Sequence, residues 1–292
     1  MSALFQQARL AIGFKQQTDL VTPLLVANLL SLQQTNEELF NATPINQSNV
    51  DDLGKGTYPT ALYPSHWEAA GPWDGRLTSE AGALLAAFGI GAVAKVATTA
   101  TGGFKYTADA PDLNVTGLDM PSNTVVVQMG DVRDILIAGM CCDQFGMTFR
   151  TGAGRDNATF TSRWVGTGQN TRPSAITMPA PYDEHSLNAG GISALTLIGF
   201  NYITNKRFGE VVFNWQNQID LEGSRFPGSG SQGGFQIGGR MRRTKPLATL
   251  TSTVEAASGS SEEDLLLAGT SGTGVITCLG SQIAAGPESH EL

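Results

Sequence analysis

The chain has 292 residues, a net charge of −8, and only 15% charged residues against 41% hydrophobic ones. Such a length buries one large core or two small ones, and the acidic balance makes a poor grip for a phosphate backbone. No run of about 18 uncharged apolar residues offers a membrane span, and three cysteines without framework spacing argue against a disulfide-stapled secreted domain.

The 35 glycines, with abundant Ser and Thr, predict many short strands and turns, hence a mainly β protein. A surface rich in Thr, Ser, Gln and Asn but poor in charge suits a protein that lives inside an assembly. The opening MSALFQQARLAIGFKQQ lacks an apolar leader core and a cleavage site, so no secretory leader is expected. Over residues 5–40, Thr22-Pro23 offers a helix start and Leu24 to Val26 offers a strand. The stretch is read as strands joined by turns.

Residues 41–75 read as an extended, irregular arm with four prolines (Pro44, Pro59, Pro64, Pro72) and the aromatics Tyr58, Tyr63, Trp67 and Trp73. Structureless loops above ~15 residues are uncommon unless functional. A flexible insertion is the bland reading. The functional one is an arm that docks on a neighbouring subunit through Asp51, Asp52, Tyr58, Leu62, Tyr63 and Trp67, because aromatics favour interfaces. The clearest helix follows. Thr78-Ser79 caps it, Glu80 sits in its first turn, Leu84, Leu85 and Phe88 form its apolar face, and Gly89 closes it. Residues 89–123 are rich in Gly, Ala and Thr and predict short strands, then a loop through Pro111 and Pro121.

From Thr124 to Gly168 the pattern gives a strand, a turn, a second apolar strand and a long hairpin. Phe145, Met147, Phe149, Phe160 and Trp164 fall on the core side. Gln144, Thr148, Arg150, Thr159, Thr161 and Arg163 fall on the opposite side, a candidate lumen or subunit-interface face. The glycines and Asn/Asp of Gly152–Asn157 supply the tight connection. The run GTGQNTRPSAITMPAPYDEHS, Gly166 to Ser186, reads as a polar linker, so one domain divides into β halves at about 1–168 and 190–280, with a flexible tail at 281–292. In the second half SALTLIGFNYI, EVVFNWQNQID, MRRTKPLATLTSTVEA and GVITCLG read as a β series, with Leu247, Thr249, Thr251 and Thr253 sharing a face. Gly223 to Gly239 reads as a mobile loop, and Ser260 to Leu267 as a short capped helix.

Signs of chemistry are sparse. The three histidines (His66, His185, His290) have no GxSxG elbow beside them. Cys141, Cys142 and His185 have no metal-ligand spacing, and Cys141, Cys142 and Cys278 read as buried apolar cysteines. The Gly-x-Gly pairs lack the context of a phosphate loop. No catalytic residue, metal or cofactor is expected, and the chain is read as a non-enzyme. The basic cluster Arg240, Arg242, Arg243 and Lys245 reads as a solvated strand end, a phosphate contact, or a patch that meets the acidic arm or tail of another copy.

The order of these features resembles the tail tube (major tail) proteins of long, non-contractile-tailed bacteriophages. The best-matching stretches are GPWDGRLTSEAGALLAAFG at Gly71–Gly89 and Arg155–Gly168, where Thr and Ser alternate with aromatics before Gly-Thr-Gly. The likeness of layout spans most of residues 8–279. It implies a β-sandwich with a short helix on its flank, hexameric rings whose sheets close into an inter-subunit β-barrel, and stacking through a loop at Gln47–Pro64. It further implies a virion protein assembled in the host cytoplasm, with itself, tail terminator and tail tip proteins as partners. DNA would pass down an acidic lumen without specific binding, and no membrane is involved. The alternative is a β-sandwich receptor- or carbohydrate-binding module with Trp67, Trp73, Trp164 and Trp215 as sugar platforms, or another ring-forming virion protein.

Overall fold

The computed structural model describes residues 8–35, 39–48, 62–91, 93–97, 104–109, 119–129, 134–150, 158–168, 170–172, 176–182, 185, 187, 192–197, 200–202, 208–221, 225–227, 235–237, 241–254, 264, 268, 272, 274–282 and 289–291. The strands of the first half are β1 (Ala8–Gly13), β2 (Leu29–Leu32), β3 (Asn41–Ser48), β4 (Leu62–Pro72), β5 (Gly75–Arg76), β6 (Val93–Ala97), β7 (Phe104–Ala108), β8 (Asn123–Met129), β9 (Asp134–Arg150), β10 (Thr159–Gly166) and β11 (Asn170–Thr171). Those of the second are β12 (Ile192–Leu197), β13 (Phe200–Asn201), β14 (Phe208–Gln216), β15 (Arg225–Pro227), β16 (Phe235–Ile237), β17 (Leu247–Val254), β18 (Gly274–Gln282) and β19 (Ser289–Glu291). Helix α1 spans Ser79–Leu85. The protein is mainly β and its sheets are antiparallel.

β9 is the spine of an 11-stranded sheet. Its 17 residues form one strand, not the two that the sequence pattern separates. Met140 pairs with Asn123 of β8 on one side and with Gly166 of β10 on the other. Further along, Gln144 pairs with Arg163 of β10 and with Gln216 of β14. One edge of β9 therefore carries β8 and then β14, and the opposite edge carries β11 and then β10. Beyond them the sheet continues through β1 to β2, through β4 to β3, and from β14 to β17. Strands of the second half thus join the same sheet as those of the first.

Two devices let one strand serve both halves. Gly139 has a φ of +68°, and a Cβ there would lie 2.5 Å from the Leu20 carbonyl oxygen, so the bend requires glycine. Between Arg163 and Trp164 the ladder skips Asp143, a bulge. The skipped residue is used elsewhere: its carbonyl accepts the Asn217 N–H at 2.7 Å and its carboxylate the Ile219 N–H at 3.1 Å.

The core joins three layers. Phe145, Met147, Phe149, Phe160, Trp164 and Trp215 of the large sheet pack with Leu84, Leu85 and Phe88 of the helix and with Leu195, Tyr202 and Cys278 from the four-stranded sheet β13–β12–β18–β19. Full burial of each large apolar side chain contributes about 1.5–3 kcal/mol. Trp73 meets Phe160 edge-on at 4.8 Å, a favoured aromatic geometry. The vicinal cysteines face opposite ways: Cys142 enters this core, and Cys141 a smaller cluster with Leu20, Met120 and Met241.

Three expectations change. Within the expected irregular arm 41–75, the described residues are not irregular: β3 and β4 form a ladder from Asn41↔Ala70 to Ser48↔Leu62, and residues 49–61 lie outside the described ones. Pro44 fits because β3 is an edge strand, and Pro64 because it lies beyond the reach of β10. The helix does not stop at Gly89. It widens over Ala86–Ile90, where the Gly91 N–H donates to the Ala86 carbonyl, and ends at Gly91 with φ +87°. Gly89 is instead a packing position, since a Cβ there would lie 2.4 Å from the Phe145 ring. Inside the expected loop Gly223–Gly239, β15 and β16 pair. The connection Gly152–Asn157 lies outside the described residues. Of the expected helix Ser260–Leu267, Asp264 is described and accepts the Ala268 N–H at 2.9 Å.

The polar connection after β11 is tied down. Arg9 donates to the Pro179 carbonyl at 2.6 Å, Tyr182 N–H to Ser31, Ser79 N–H to the His185 carbonyl and Leu187 N–H to Leu77.

Candidate functional site

The register of the large sheet assembles one extended polar face. Gln216, Gln144 and Arg163 lie in one row across β14, β9 and β10. Asn214, Gly146 and Thr161 form the next row. Thr148 pairs with Thr159, which pairs with Arg76 of β5. Leu247, Thr249, Thr251 and Thr253 of β17 continue the rows opposite Gln216, Asn214, Val212 and Glu210. All six residues expected on this face are there, brought together by the period-2 pleat.

The face is not acidic. Arg150 is paired with Glu210, Nε to Oε1 at 2.7 Å. Asp74 accepts the Ser162 N–H at 2.9 Å. Arg163 and Arg76 have no carboxylate partner among the described residues. The described charges of this face do not account for the net charge of −8.

A concavity of about 640 Å³ is sunk into the face, with Gly146 in its floor and Leu39, Pro72 and Asp74 along one side. A Cβ on Gly146 would lie 2.5 Å from Asn214 Oδ1. The concavity exists because that position carries no side chain. Gln144, Thr161, Arg163, Asn214 and Gln216 line it, and among the described residues no side-chain hydrogen bond engages any of them.

Two long strands, β3 at one end of the main strand order and β17 at the end of the β14 branch, have edges that differ. β3 contains Pro44, shifts register between Ile45 and Asn46, and has its Ala42 carbonyl bonded by Arg172 at 3.2 Å. Proline, bulges and a covering cation are the usual protections of an edge. β17 has none of these. Its sequence LATLTSTV has no charge and no proline, and it pairs only with β14 among the described residues. Leu247 and Leu250, on opposite faces of it, are 48% and 41% exposed.

The remaining candidates are scattered. Asp51, Asp52 and Tyr58 lie outside the described residues. Leu62 and Tyr63 belong to β4, and Trp67 packs against the main core instead of projecting. Arg240 is likewise outside. Arg242 is exposed and paired with Asp119 at 3.3 Å. Arg243 is buried, donates to the Ile90 carbonyl at 3.0 Å and leaves its Nε without a partner. Burial pulls its guanidinium below the ordinary value, while the nearby Cys141 and Cys142 pull the other way. Lys245 is exposed. The three described residues therefore make no single basic patch.

The sugar-platform reading loses its footing. Trp73, Trp164 and Trp215 are buried and Trp67 is half-buried. The cysteines are buried thiols outside any disulfide among the described residues; burial pushes the Cys278 thiol up to about 11 and that of Cys141 higher still. Among the described residues no group of three or more His, Cys, Asp and Glu could hold a metal, and no helix is long and apolar enough to cross a membrane.

Sequence reasoning missed two buried amides that position this face. Asn217 donates to the Gly89 and Cys142 carbonyls at 2.8 and 2.9 Å and accepts from Trp215 Nε1 at 3.0 Å. Gln17 accepts the Gly139 N–H at 2.8 Å and donates to the Thr22 carbonyl. Isolated amides carry no periodic signal.

No protein-family model matches the chain, and a search of curated proteins finds no match.

Proposed function

We propose that the chain is a structural subunit that assembles with copies of itself into stacked hexameric rings, forming the hollow tail tube through which a bacteriophage delivers its DNA. The observation that carries this reading is β17: a long, uncharged, proline-free edge strand with exposed residues on both faces. Such an edge is a template for pairing with another chain. β17 of one copy extends the sheet of the next by a head-to-tail contact, and head-to-tail contacts close into rings when the rotation permits. The threonine row of β17 and the polar side of β14 beside it face the passage. A face with few fixed charges gives sliding nucleic acid little to hold. The virion tail is then the protein's location, after assembly in the host cytoplasm, and terminator and tip proteins of the tail are its other partners.

Electron microscopy of the concentrated, purified protein tests this. Hollow tubes or six-fold rings are expected. A strict monomer at high concentration, above all one that retains glycans on an array, overturns the reading in favour of a binding module.

A further inference from the structure

Arg243 is a cation with 2% exposure and no carboxylate partner among the described residues. Its backbone pairs with Ile219, and Met241, two residues earlier, packs with Leu20, Met120 and Cys141. The acids beside this segment are engaged elsewhere: Asp143 accepts the Ile219 N–H and Asp119 pairs with Arg242. The guanidinium reaches the end of the wide helical turn, where Nη1 donates to the Ile90 carbonyl at 3.0 Å. Its other edge is made of Nε and Nη2, two parallel donors that suit an oxyanion in a two-pronged fit. Nε is buried and has no hydrogen-bond partner. Nη2 lies 3.4 Å from the point that a Cβ on Gly91 would occupy, and among the described residues it is the only atom within 4 Å of that point outside the adjoining chain. We propose that the Nε/Nη2 edge of Arg243 and the space beside Gly91 form a binding site for a small monovalent anion, a halide or a carboxylate of formate size.

Charge and size select the ligand. A buried cation whose donors stay unbonded is costly, and the negative end of the helix offsets only part of its charge. One guanidinium matches one negative charge. The space admits something the size of a methyl group, and it exists because Gly91, at φ +87°, is a position that favours glycine. Burial excludes the side chain of a partner protein. The site also lies where the two halves meet: Asn217 and Arg243 bond the consecutive carbonyls of Gly89 and Ile90. A bound anion therefore fastens the helix end to the large sheet, whether or not the chain assembles.

Mass action tests it, because a ligand that binds only the folded chain stabilises it. Urea unfolding of the full chain is followed while chloride or formate replaces gluconate, an anion too large for the space, at constant ionic strength. The folded-to-unfolded ratio of the wild type is expected to rise about tenfold once the anion reaches roughly ten times its dissociation constant. Arg243→Met, which keeps an apolar stem without the donors, is expected to show no such rise. A larger effect of formate assigns the two-pronged oxyanion and a larger effect of chloride the halide; either supports the site. The second arm needs no variant, so it stands even if Arg243→Met fails to fold. Wild-type crystals grown with the better-binding anion, bromide standing in for chloride, should show it within hydrogen-bond distance of Nε and Nη2. The site is overturned if neither anion shifts the wild type, if Arg243→Met responds equally, if the ion lies elsewhere, or if it binds at crystal concentration only.

Discussion

Gln17 Oε1 accepts the N–H of Gly139 at 2.8 Å, across 122 residues of chain. That bond fixes the bend of β9, because Gly139 sits at φ +68° with its N–H turned out of the ladder towards the Gln17 loop. A left-handed residue with a side chain costs about 1–2 kcal/mol, and here the added Cβ would also press on the Leu20 carbonyl. Gly139→Ala is expected to destabilise the fold by about 2–4 kcal/mol. Gln17→Leu, which orphans a buried N–H, costs about 1–3 kcal/mol. Urea unfolding checks both, and a midpoint unchanged in either variant shows that the bend is not held this way.

Asn217 bonds helix to sheet. Its amide joins the Gly89 carbonyl at the wide helical turn to the Cys142 carbonyl on β9, and its oxygen satisfies the buried indole of Trp215. Asn217→Ala orphans all three groups and is expected to cost about 3 kcal/mol, in the range for buried polar groups left unpaired. Asn217→Asp keeps the indole bond but loses both donors. Thermal unfolding should therefore rank wild type above both variants.

Much of this was legible in the chain. The alternation Phe145, Met147, Phe149 and its polar counterpart Gln144, Thr148, Arg150 assigned both faces of β9, because a pleat needs only period 2. Thr78 was legible as a cap, and its hydroxyl accepts the Ala81 N–H at 3.0 Å. The pairing of Val211 with Phe149 was not. It joins residues far apart in sequence, and strand pattern carries no address for its partner. The β3–β4 ladder was hidden by Pro44 and Pro64, which are tolerated where a strand has a neighbour on one side only. The bulge at Asp143 shifts the phase of the pleat between Cys142 and Gln144, so the apolar run and the alternating arm of β9 read as two strands.

Glu80 gives the fold an acid limit. Burial pushes its carboxyl up, but hydrogen bonds from the His185 ring, the His185 N–H, its own N–H and the Ser79 hydroxyl outweigh burial, so it sits below the ordinary value. The His185 Nδ1 lies 2.7 Å from Glu80 Oε1. A group whose pKa is lower folded than unfolded adds stability above its unfolded value and loses it as pH falls through the folded one. Wild type should therefore lose stability relative to Glu80→Gln as pH drops from about 5 towards 3, the ordinary carboxylate range and below. The two curves should be parallel above pH 6. Denaturant midpoints measured across pH decide it, and parallel curves down to pH 3 would remove Glu80 from the account.

The three thiols should be silent in the native state. Cys141 and Cys142 are fully buried and pushed up by burial, and Cys278 is raised to about 11. Thiolate, the reactive form, is scarce in such surroundings. A colorimetric thiol reagent at pH 8 should find none of the three until denaturant is added, and then all three. Rapid native labelling of even one would mean that the sheet opens around it.

β17 is where assembly and folding separate. Leu250 lies on the core side of the sheet, opposite Phe213, yet it is 41% exposed because nothing among the described residues covers that end. Its exposed share contributes little to a single copy, so Leu250→Lys should cost about 1 kcal/mol or less, the scale of a surface change. At a paired edge the same substitution acts differently. A lysine on an edge strand opposes the approach of a second sheet, and burying its ammonium without a partner is costly. Leu250→Lys is therefore expected to keep native circular dichroism and thermal unfolding within a few degrees of wild type while lowering assembled mass by tenfold or more. Analytical ultracentrifugation measures the second quantity directly. Full assembly of the folded variant would show that β17 is not the joining edge; loss of fold together with assembly would show that Leu250 already supports the isolated copy.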